Sequence, residues 1–324
     1  MTSPDPQHLR EGVVRVDASG LSVLRATGAD RIAFLHRLTT GSVQSTPVGQ
    51  SCRSLMLDSK AHILGDFRIG IREEDVRVVL VGGDAQSMAA TLSRYAVMDD
   101  FTIAVEPELK ATALYGPEAP SVLRSAGISW ERALAVDGSH TEANSPFGPF
   151  WLLSQHAMGT TGLWVWGDTS SSSALDAALQ KAGVPLLDNE VAEALRILAG
   201  EPRAGAEWTG NVLPMEVGLS NALDNKKGCY LGQETVVRVR DRGMVRRRLV
   251  GLLLRGEIMP TVGAAIAFGD KDEAGRVTSV GRLPGQPPVA LALLSTAVPV
   301  GAEVHIKQGH QSSVAEVMFE RPPW

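Results

Sequence analysis

The order of local patterns between Val13 and Tyr95 constrains the fold of this chain more than any other feature. Apolar residues alternate around Val14 and Val16 and again around Leu21 and Val23, either side of a polar Asp17-Ala18-Ser19-Gly20 turn. A helix opens at Asp30, carries Ile32, Leu35 and Leu38 on one face, and stops at Gly41. Strand patterns follow over Arg53–Leu57, Ile63–Ile71 and Asp75–Val81. Asp84 then caps a helix in which Met88, Leu92 and Tyr95 recur at helical spacing. This order predicts an α+β layer, with helices on one face of a mainly antiparallel sheet.

The pattern partly recurs. A short strand over Ala111–Leu114 precedes a helix with Pro117 at its first position and Val122 and Leu123 on its inner face. Trp151–Ser154 and Gly162–Trp166 read as strands, and Ser171–Ala182 as a capped helix ended by Gly183 and Pro185. Two similar α+β units are therefore expected. Asp188 caps a further helix bearing Val191, Leu195 and Leu198. From Gly200 to Gly243 periodicity is weak and Gly, Asn and Pro are frequent, a texture that in a connecting segment is usually functional or disordered. Beyond it the texture changes again. Short β-prone runs over Leu249–Leu254, Ala264–Phe268, Gly275–Ser279, Val289–Leu293 and Ala302–Ile306 are punctuated by Gly and Pro, which predicts a separate small barrel or sandwich.

A length of 324 residues suggests two or three domains. The formal charge of −5 argues against general attraction to nucleic acid or anionic membrane. Eight basic and two acidic residues between Lys226 and Arg248 nevertheless make that segment +6, leaving −11 on the rest. A basic stripe on an acidic chain favours a local anionic ligand. Two cysteines cannot form a disulfide framework, and the polar Met1–Glu11 stretch, with Pro4 and Pro6, has no apolar signal core. No run reaches the ~18 consecutive apolar residues of a membrane span. A cytoplasmic protein without membrane partners is expected.

Within the weakly periodic segment lies Lys227-Gly228-Cys229-Tyr230-Leu231-Gly232-Gln233-Glu234. A cysteine beside lysines is favoured as a thiolate, since cationic neighbours move a thiol pKa from ~8.5 to ~3.5–7.5. The flanking glycines let backbone amides approach a ligand or adopt conformations that a Cβ forbids. The competing reading is a cysteine that merely packs.

These eight residues match the K-G-C-Y-x-G-Q-E signature of the YgfZ-type folate-binding proteins, relatives of the T-protein (aminomethyltransferase) of the glycine cleavage system. The resemblance extends to Leu57–Arg68, similar to a hairpin of the family's first domain, and to Arg196-Ile197-Leu198-Ala199-Gly200, similar to its R-I-E-A-G element. Gly243–Leu249 resembles the lead-in to its C-terminal barrel. The resemblance implies two ferredoxin-like units and a small β-barrel in a three-domain ring around a central cavity for tetrahydrofolate, bound without a covalent link. It divides the chain into residues 1–243, with the two units interleaved or sequential, and residues 244–324. It also implies support of iron–sulfur cluster assembly or repair, with iron–sulfur client or assembly proteins as partners. An enzymatic activity, if present, is a folate-dependent aminomethyl transfer. Where many relatives carry Glu in R-I-E-A-G this chain has Leu198, read here as packing on the stripe of Val191 and Leu195. That leaves Glu193 or Glu201 as the nearest replacement for a pterin partner.

Individual residues acquire roles in this frame. The resemblance makes Cys229 the reactive thiol, with no permanent metal, because ordinary cluster ligation takes four ligands and Cys52 is the one other cysteine. Asp66 stands where the T-protein places an acidic residue near the folate nitrogens, and its alternative is an exposed carboxylate paired with Arg68. Lys227, Gly228, Tyr230, Gly232, Gln233, Glu234 and Arg238 are the cofactor-binding candidates. Lys227 suits the folate glutamate tail, and Tyr230 suits a flat ring. Glu234 and Arg238 also have the spacing of a helical ion pair. Arg238, Arg240 and Arg242 would share one face of a strand and suit carboxylates or phosphates. An aminomethyltransferase is one rival reading. An RNA-binding or tRNA-modification factor using Arg246–Arg248 is the second, disfavoured because no aromatic residues interleave the arginines.

Overall fold

Residues alternate cleanly along the central strands, and this alternation builds the first sheet. In the strand Ile63–Ile71, Phe67, Ile69 and Ile71 enter one apolar cluster with Val76, Val78 and Leu80 of the strand Val76–Val81. Asp66, Arg68, Gly70 and Arg77, one residue out of phase, point to the other face, as a pleat of period two requires. The computed structural model describes residues 7–134, 136–243, 245–308 and 311–320. Pro4 and Pro6 lie outside them.

The described residues form two compact units. One comprises the chain up to Met56 with Gly65–Asp188 and Asp224–Tyr230; the other comprises Leu57–Leu64, Asn189–Leu223 and the chain from Leu231 onward. The first contains α1 (Gln7–Glu11), β1 (Val14–Val16), β2 (Leu21–Thr27) and α2 (Arg31–Leu38). Then come β3 (Ser51–Leu57), β4 (Ile63–Ile71), β5 (Val76–Val81), α3 (Ala85–Tyr95) and β6 (Thr102–Val105). The tip between β3 and β4 belongs to the second unit. A second set follows: β7 (Leu109–Tyr115), α4 (Ala119–Ser125), β8 (His140–Ala143), β9 (Phe150–Ala157), β10 (Thr160–Asp168) and α5 (Thr169–Lys181).

The strands make two five-stranded sheets, β3-β4-β5-β2-β6 and β1-β7-β10-β9-β8. Each packs two helices on one face: Phe34, Leu35, Leu38 and Leu92 cover the first, Leu123, Leu175 and Leu179 the second. Capping is as the sequence suggests for α3, where Asp84 accepts from the Ser87 amide. α5 starts two residues earlier than expected, because Asp168 accepts from the Ser171 amide. α4 begins at Ala119 with Pro120 in its first turn, not at Pro117. The larger departure concerns the Asp17–Gly20 turn. It does not close a hairpin: β1 pairs with β7 while β2 pairs with β5 and β6, so the chain crosses here from one sheet to the other.

The uncovered faces of the two sheets meet. Trp151 and Trp166 lie opposite each other in register and stack with centroids 4.6 Å apart. The Arg77 guanidinium sits 5.0 Å from the Trp151 ring. Gly70 allows this closeness, since a Cβ there would lie 3.2 Å from His140 and Trp151 ring atoms. A cleft of about 690 Å³ is lined from both sheets by residues including Arg25, Arg72, Arg77, Glu106, His140 and Glu142. Its charges largely pair with one another, as in Arg25–Asp75 and Arg72–Glu142. None of the motif residues lines it.

The second unit holds α6 (Asn189–Leu198), α7 (Gln233–Arg242) and a closed barrel. The barrel comprises β11 (Arg247–Arg255), β12 (Ala265–Phe268), β13 (Lys271–Gly281), β14 (Val289–Ser295), β15 (Glu303–Gln308) and β16 (Gln311–Glu320). Around the barrel the order is β11-β14-β13-β12-β15-β16. Val250, Leu252 and Leu254 alternate into its core with Ile266, Val277 and Ile306. β16, not foreseen in the sequence, pairs with both β11 and β15 and so removes the two free edges an open sheet would expose. The fold is α+β with two sheets and a six-stranded C-terminal barrel, as expected.

Candidate functional site

The signature divides between the two units: Lys227–Tyr230 belongs to the first and Leu231–Glu234 to the second. Its first half is a turn tied down at both ends. Asp224 donates its amide to the Thr40 carbonyl at 2.9 Å. Its Oδ1 accepts from the amides of Lys226 at 2.7 Å and Lys227 at 3.2 Å, an Asx turn. Those amides, the Lys226 N–H foremost, hold the Asp224 carboxyl below its usual range. At the other end Tyr230 is buried. Between them Gly228 and Cys229 are exposed, and a Cβ on Gly228 would meet nothing within 4 Å.

The Lys227 side chain turns inward, away from the expected role of reaching for a folate carboxylate. Nζ donates to the carbonyls of His36 and Thr39 and, at 3.0 Å, of Gly41, with the Tyr230 ring centroid 5.3 Å away. Burial pulls the Lys227 pKa down to about 8, against the charges of Cys52 and Asp224. Burial likewise raises the Cys52 thiol and lowers His36, the latter with help from Lys227. Cys52 packs beside the first sheet's core, in keeping with a packing role.

Asp66 is not an exposed carboxylate paired with Arg68. It is 3% exposed, and Arg53 holds both its oxygens, Nε to Oδ1 at 3.1 Å and Nη2 to Oδ2 at 2.6 Å. Arg68 pairs with Asp137 at 3.2 Å instead. Arg53 was missed because a strand position beside Cys52 looks like packing. Its one sequence signal is a lone charge in the strand Ser51–Leu57, next to the strand that carries Asp66.

In the second unit Gly232 caps α7 with φ +83°. A Cβ there would come 2.6 Å from the Asp58 carbonyl and 3.1 Å from the Ala61 Cα. The glycine therefore fits a left-handed cap pressed against the Asp58–His62 turn. That turn is fixed by Asp58, whose Oδ1 accepts from the Lys60 and His62 amides at 2.8 Å. Gln233 and Glu234 open α7, and the exposed Glu234 pairs with Arg238 at 2.7 Å. Arg238, Arg240 and Arg242 do not alternate on a strand. α7 is helical between left-handed Gly232 and Gly243, with Val236 as its buried anchor, so Arg238 and Arg242 lie one turn apart and Arg240 pairs with Asp241. The arginine stripe is further divided by ion pairs of Arg247 with Glu216 and Arg248 with Glu320.

Leu198 is 38% exposed, off the packing stripe assigned to it. α6 instead buries Val191, Ala194, Leu195 and Ile197, and a Cβ on Gly281 of β13 would lie 2.9 Å from the Ala194 Cα. Ile197 takes the contact with the barrel, and the helix ends as Leu198 turns outward. Glu193, one of the two carboxylates expected to replace the motif Glu, is held by Arg196 and Arg203 at 2.8 and 3.2 Å, which keep its pKa low against its burial. Glu207 has no local sequence signal, yet its fully buried carboxylate accepts from Thr278, Ser279, Arg196 and the Arg203 amide. Among the described residues no group of three or more His, Cys, Asp or Glu side chains is arranged to hold a metal ion, and no helix is long and apolar enough to cross a membrane.

Two helix-covered antiparallel sheets followed by a six-stranded barrel define the fold of this chain. The sequence matches the family described as the GCVT N-terminal domain over residues 2–227, and the chain belongs to that family. A chloroplastic protein of Arabidopsis thaliana is 25% identical over 320 residues, 96% of this chain and 73% of its own. The tRNA-modifying protein YgfZ of Yersinia enterocolitica is 25% identical over 75% of this chain and 71% of its own. An aminomethyltransferase of Bordetella avium is 26% identical over 80% of this chain and 77% of its own. The fold is shared with the glycine cleavage system aminomethyltransferase T of Bartonella henselae, with a TM-score of 0.86 at 23% identity, over 97% of this chain and 87% of that one.

Proposed function

We propose that this chain is a tetrahydrofolate-binding protein of the YgfZ type that supports the assembly or repair of iron–sulfur proteins, with Cys229 as its reactive group. The observation that carries the reading is the setting of Cys229: an exposed thiol on a turn fixed by Asp224 at one end and Lys227 and Tyr230 at the other. A thiol so presented can attack an electrophile or exchange with a disulfide on a partner protein. Neither role needs a resident metal. A reducing compartment suits it, and the Arabidopsis relative is chloroplastic.

Two features support a hydrogen-bonding ligand. Gly228 leaves open space beside the backbone, and Asp66 is a buried carboxylate of fixed orientation. Tetrahydrofolate, when bound, supplies a carrier for one-carbon units; Asp66 would orient it, and the Gly228 backbone would admit it closely. Gly232, Gln233, Glu234 and Arg238, in the cap and first turns of α7, are carried only by the motif as further ligand candidates. Calorimetry with tetrahydrofolate tests the ligand, with stoichiometric binding expected and no heat at high micromolar concentration defeating it. A Cys229→Ser variant tests the thiol. It should fold normally yet fail to restore iron–sulfur enzyme activity in a deletion strain, and full rescue would sink the assignment.

The Bordetella relative favours one second reading, an aminomethyl transfer from a protein-bound lipoyl arm to tetrahydrofolate. Turnover with a lipoylated carrier protein, retained in Cys229→Ser, would select it. The name of the Yersinia relative supports an effect on tRNA modification, which a salt-dependent gel shift with tRNA would reveal as direct binding.

A further inference from the structure

We propose that Lys227 is a positioning residue for Cys229: its ammonium fills a cage of backbone carbonyls and so fixes the turn that presents the exposed thiol. The inference rests on the reading of Cys229 as the reactive group. It assigns the motif lysine to the protein's own backbone and not to the ligand.

The acceptors come from the end of α2. A helix leaves its last carbonyls without intrahelical partners, and its dipole makes that end negative. Here the carbonyls of His36, Thr39 and Gly41, in and just beyond the last turn of Arg31–Leu38, converge on Nζ. A lysine ammonium has three N–H donors, and three acceptors meet it, so no donor is left for a ligand carboxylate.

The cage is itself rigid. The Thr39 hydroxyl donates to the Leu35 carbonyl at 2.7 Å, the Ser54 hydroxyl to Thr39 Oγ1 at 2.8 Å, and the Gly41 amide to Ser54 Oγ at 2.6 Å. Thr39, Thr40 and Ser54 are all fully buried, so these hydrogen bonds do not compete with water. The Leu55 amide donates to Thr40 Oγ1 at 2.8 Å, which ties the same exit to β3. The Tyr230 ring lies 5.3 Å from the ammonium, a cation–π contact made by the residue that follows the thiol. Residues 227 and 230 are thus gripped together, and the two between them are exposed. A fixed thiol loses less conformational freedom on meeting its target than one on a loose loop.

The test uses the ligand-free full-length protein and its Lys227→Met and Lys227→Arg variants. Hydrogen exchange of the 225–230 amides and the alkylation rate of Cys229 by iodoacetamide, read by peptide mass spectrometry, are the two measurements. In Lys227→Met, exchange over 225–230 should rise at least tenfold and Cys229 alkylation should change severalfold, with core amides of β4 and β5 unchanged. Lys227→Arg keeps a cation but brings a planar fork to three convergent acceptors, so it should restore protection in part. Wild-type exchange and alkylation in Lys227→Met would overturn the proposal. Should Lys227→Met not fold, Lys227→Arg alone decides: raised exchange over 225–230 supports the proposal, and wild-type behaviour of both measurements overturns it. Absence of folate binding by the wild-type protein would defeat the ligand reading and leave these two measurements able to support the positioning role.

Discussion

The Arg53 guanidinium grips both oxygens of the buried Asp66 carboxylate across two adjacent strands, at 3.1 and 2.6 Å. Removing one member of a buried pair strands the other charge, whereas removing both replaces a desolvated pair with apolar packing. Arg53→Met should therefore destabilise the protein by about 3 kcal/mol, the lower end of the range for buried pairs, because Arg53 retains 23% exposure. Arg53→Met combined with Asp66→Leu should recover most of that loss in chemical denaturation. If the double variant is no more stable than the single one, the pair is not the source of the effect. If Asp66 also orients folate, the double variant will be stable yet bind no tetrahydrofolate.

The two glycines of the signature should answer differently to alanine. At Gly232 a Cβ would enter the Asp58–Ala61 turn and must adopt φ +83°, so Gly232→Ala combines a clash with a strained backbone. It should cost on the order of 1–3 kcal/mol and lower the melting temperature. At Gly228 the same substitution meets nothing, and Gly228→Ala should unfold at the wild-type temperature. Reduced tetrahydrofolate affinity in this second variant would then mark close approach of a ligand to the Gly228 backbone. Equal melting shifts in the two variants would contradict the contrast.

Periodicity reveals which face of an element is apolar, and on that basis both α+β units and five of the six barrel strands were legible. It does not reveal which sheet a strand joins, and β1 and β2 part company although they flank one short turn. The sequence Thr235-Val236-Val237-Arg238-Val239-Arg240 has strand-like alternation, yet left-handed glycines at both ends and one buried valine make it helical. Tertiary context overrides a weak local preference there. At the candidate site, the motif singled out Cys229, which the structure places exposed on a turn. Partners that depend on long-range approach, such as Arg53 for Asp66 or the α2 carbonyls for Lys227, had no local signature. Leu198 shows the same limit: it fits the helical stripe by spacing, but α6 ends there and the barrel takes Ile197 instead.

His140 gives the protein a sensitivity to mild acid. Burial pushes its pKa from 6.5 down to about 4, opposed by its hydrogen bond to Gln50. The Trp151 indole donates to Nδ1 at 3.3 Å, so Nε2 carries the proton that the Gln50 carbonyl accepts at 3.1 Å. Between pH 6.5 and about 4 the unfolded chain binds a proton at His140 that the folded chain does not. Stability is therefore full above pH 6.5 and falls as the pH drops towards 4, by on the order of 3 kcal/mol from this residue. Denaturation midpoints measured from pH 7 to pH 4 should show the fall. His140→Gln, which retains a donor and an acceptor but does not titrate, should flatten it; an unchanged slope would remove His140 as its cause.

Glu207 joins the segment after α6 to the barrel through four donors aimed at one carboxylate. Oε1 accepts from the Thr278 hydroxyl at 2.9 Å and the Ser279 hydroxyl at 2.5 Å, and Oε2 from Arg196 and from the Arg203 amide, both at 2.9 Å. The two sides differ in what they tolerate. Hydroxyls can rotate to accept, but a guanidinium and a backbone amide can only donate. A Glu207→Gln side chain can therefore turn its amide nitrogen to Thr278 and Ser279 and keep its oxygen towards Arg196. It should cost about 2 kcal/mol, the worth of hydrogen bonds to a charged group. Glu207→Ala leaves the Arg203 amide and one of the two Arg196 Nη1 N–H groups without their acceptor, while Nη1 keeps the Glu201 carbonyl, in a site with 0% side-chain exposure, and should cost about 3–5 kcal/mol. Urea denaturation of the two variants checks the ordering. Because Arg196 retains Glu193 at 2.8 Å, the loss should be confined to the 199–213 segment and its barrel contact, and hydrogen exchange there should rise before that of α6. Equal destabilisation by Gln and Ala would mean that the charge, and not the count of acceptors, holds this junction.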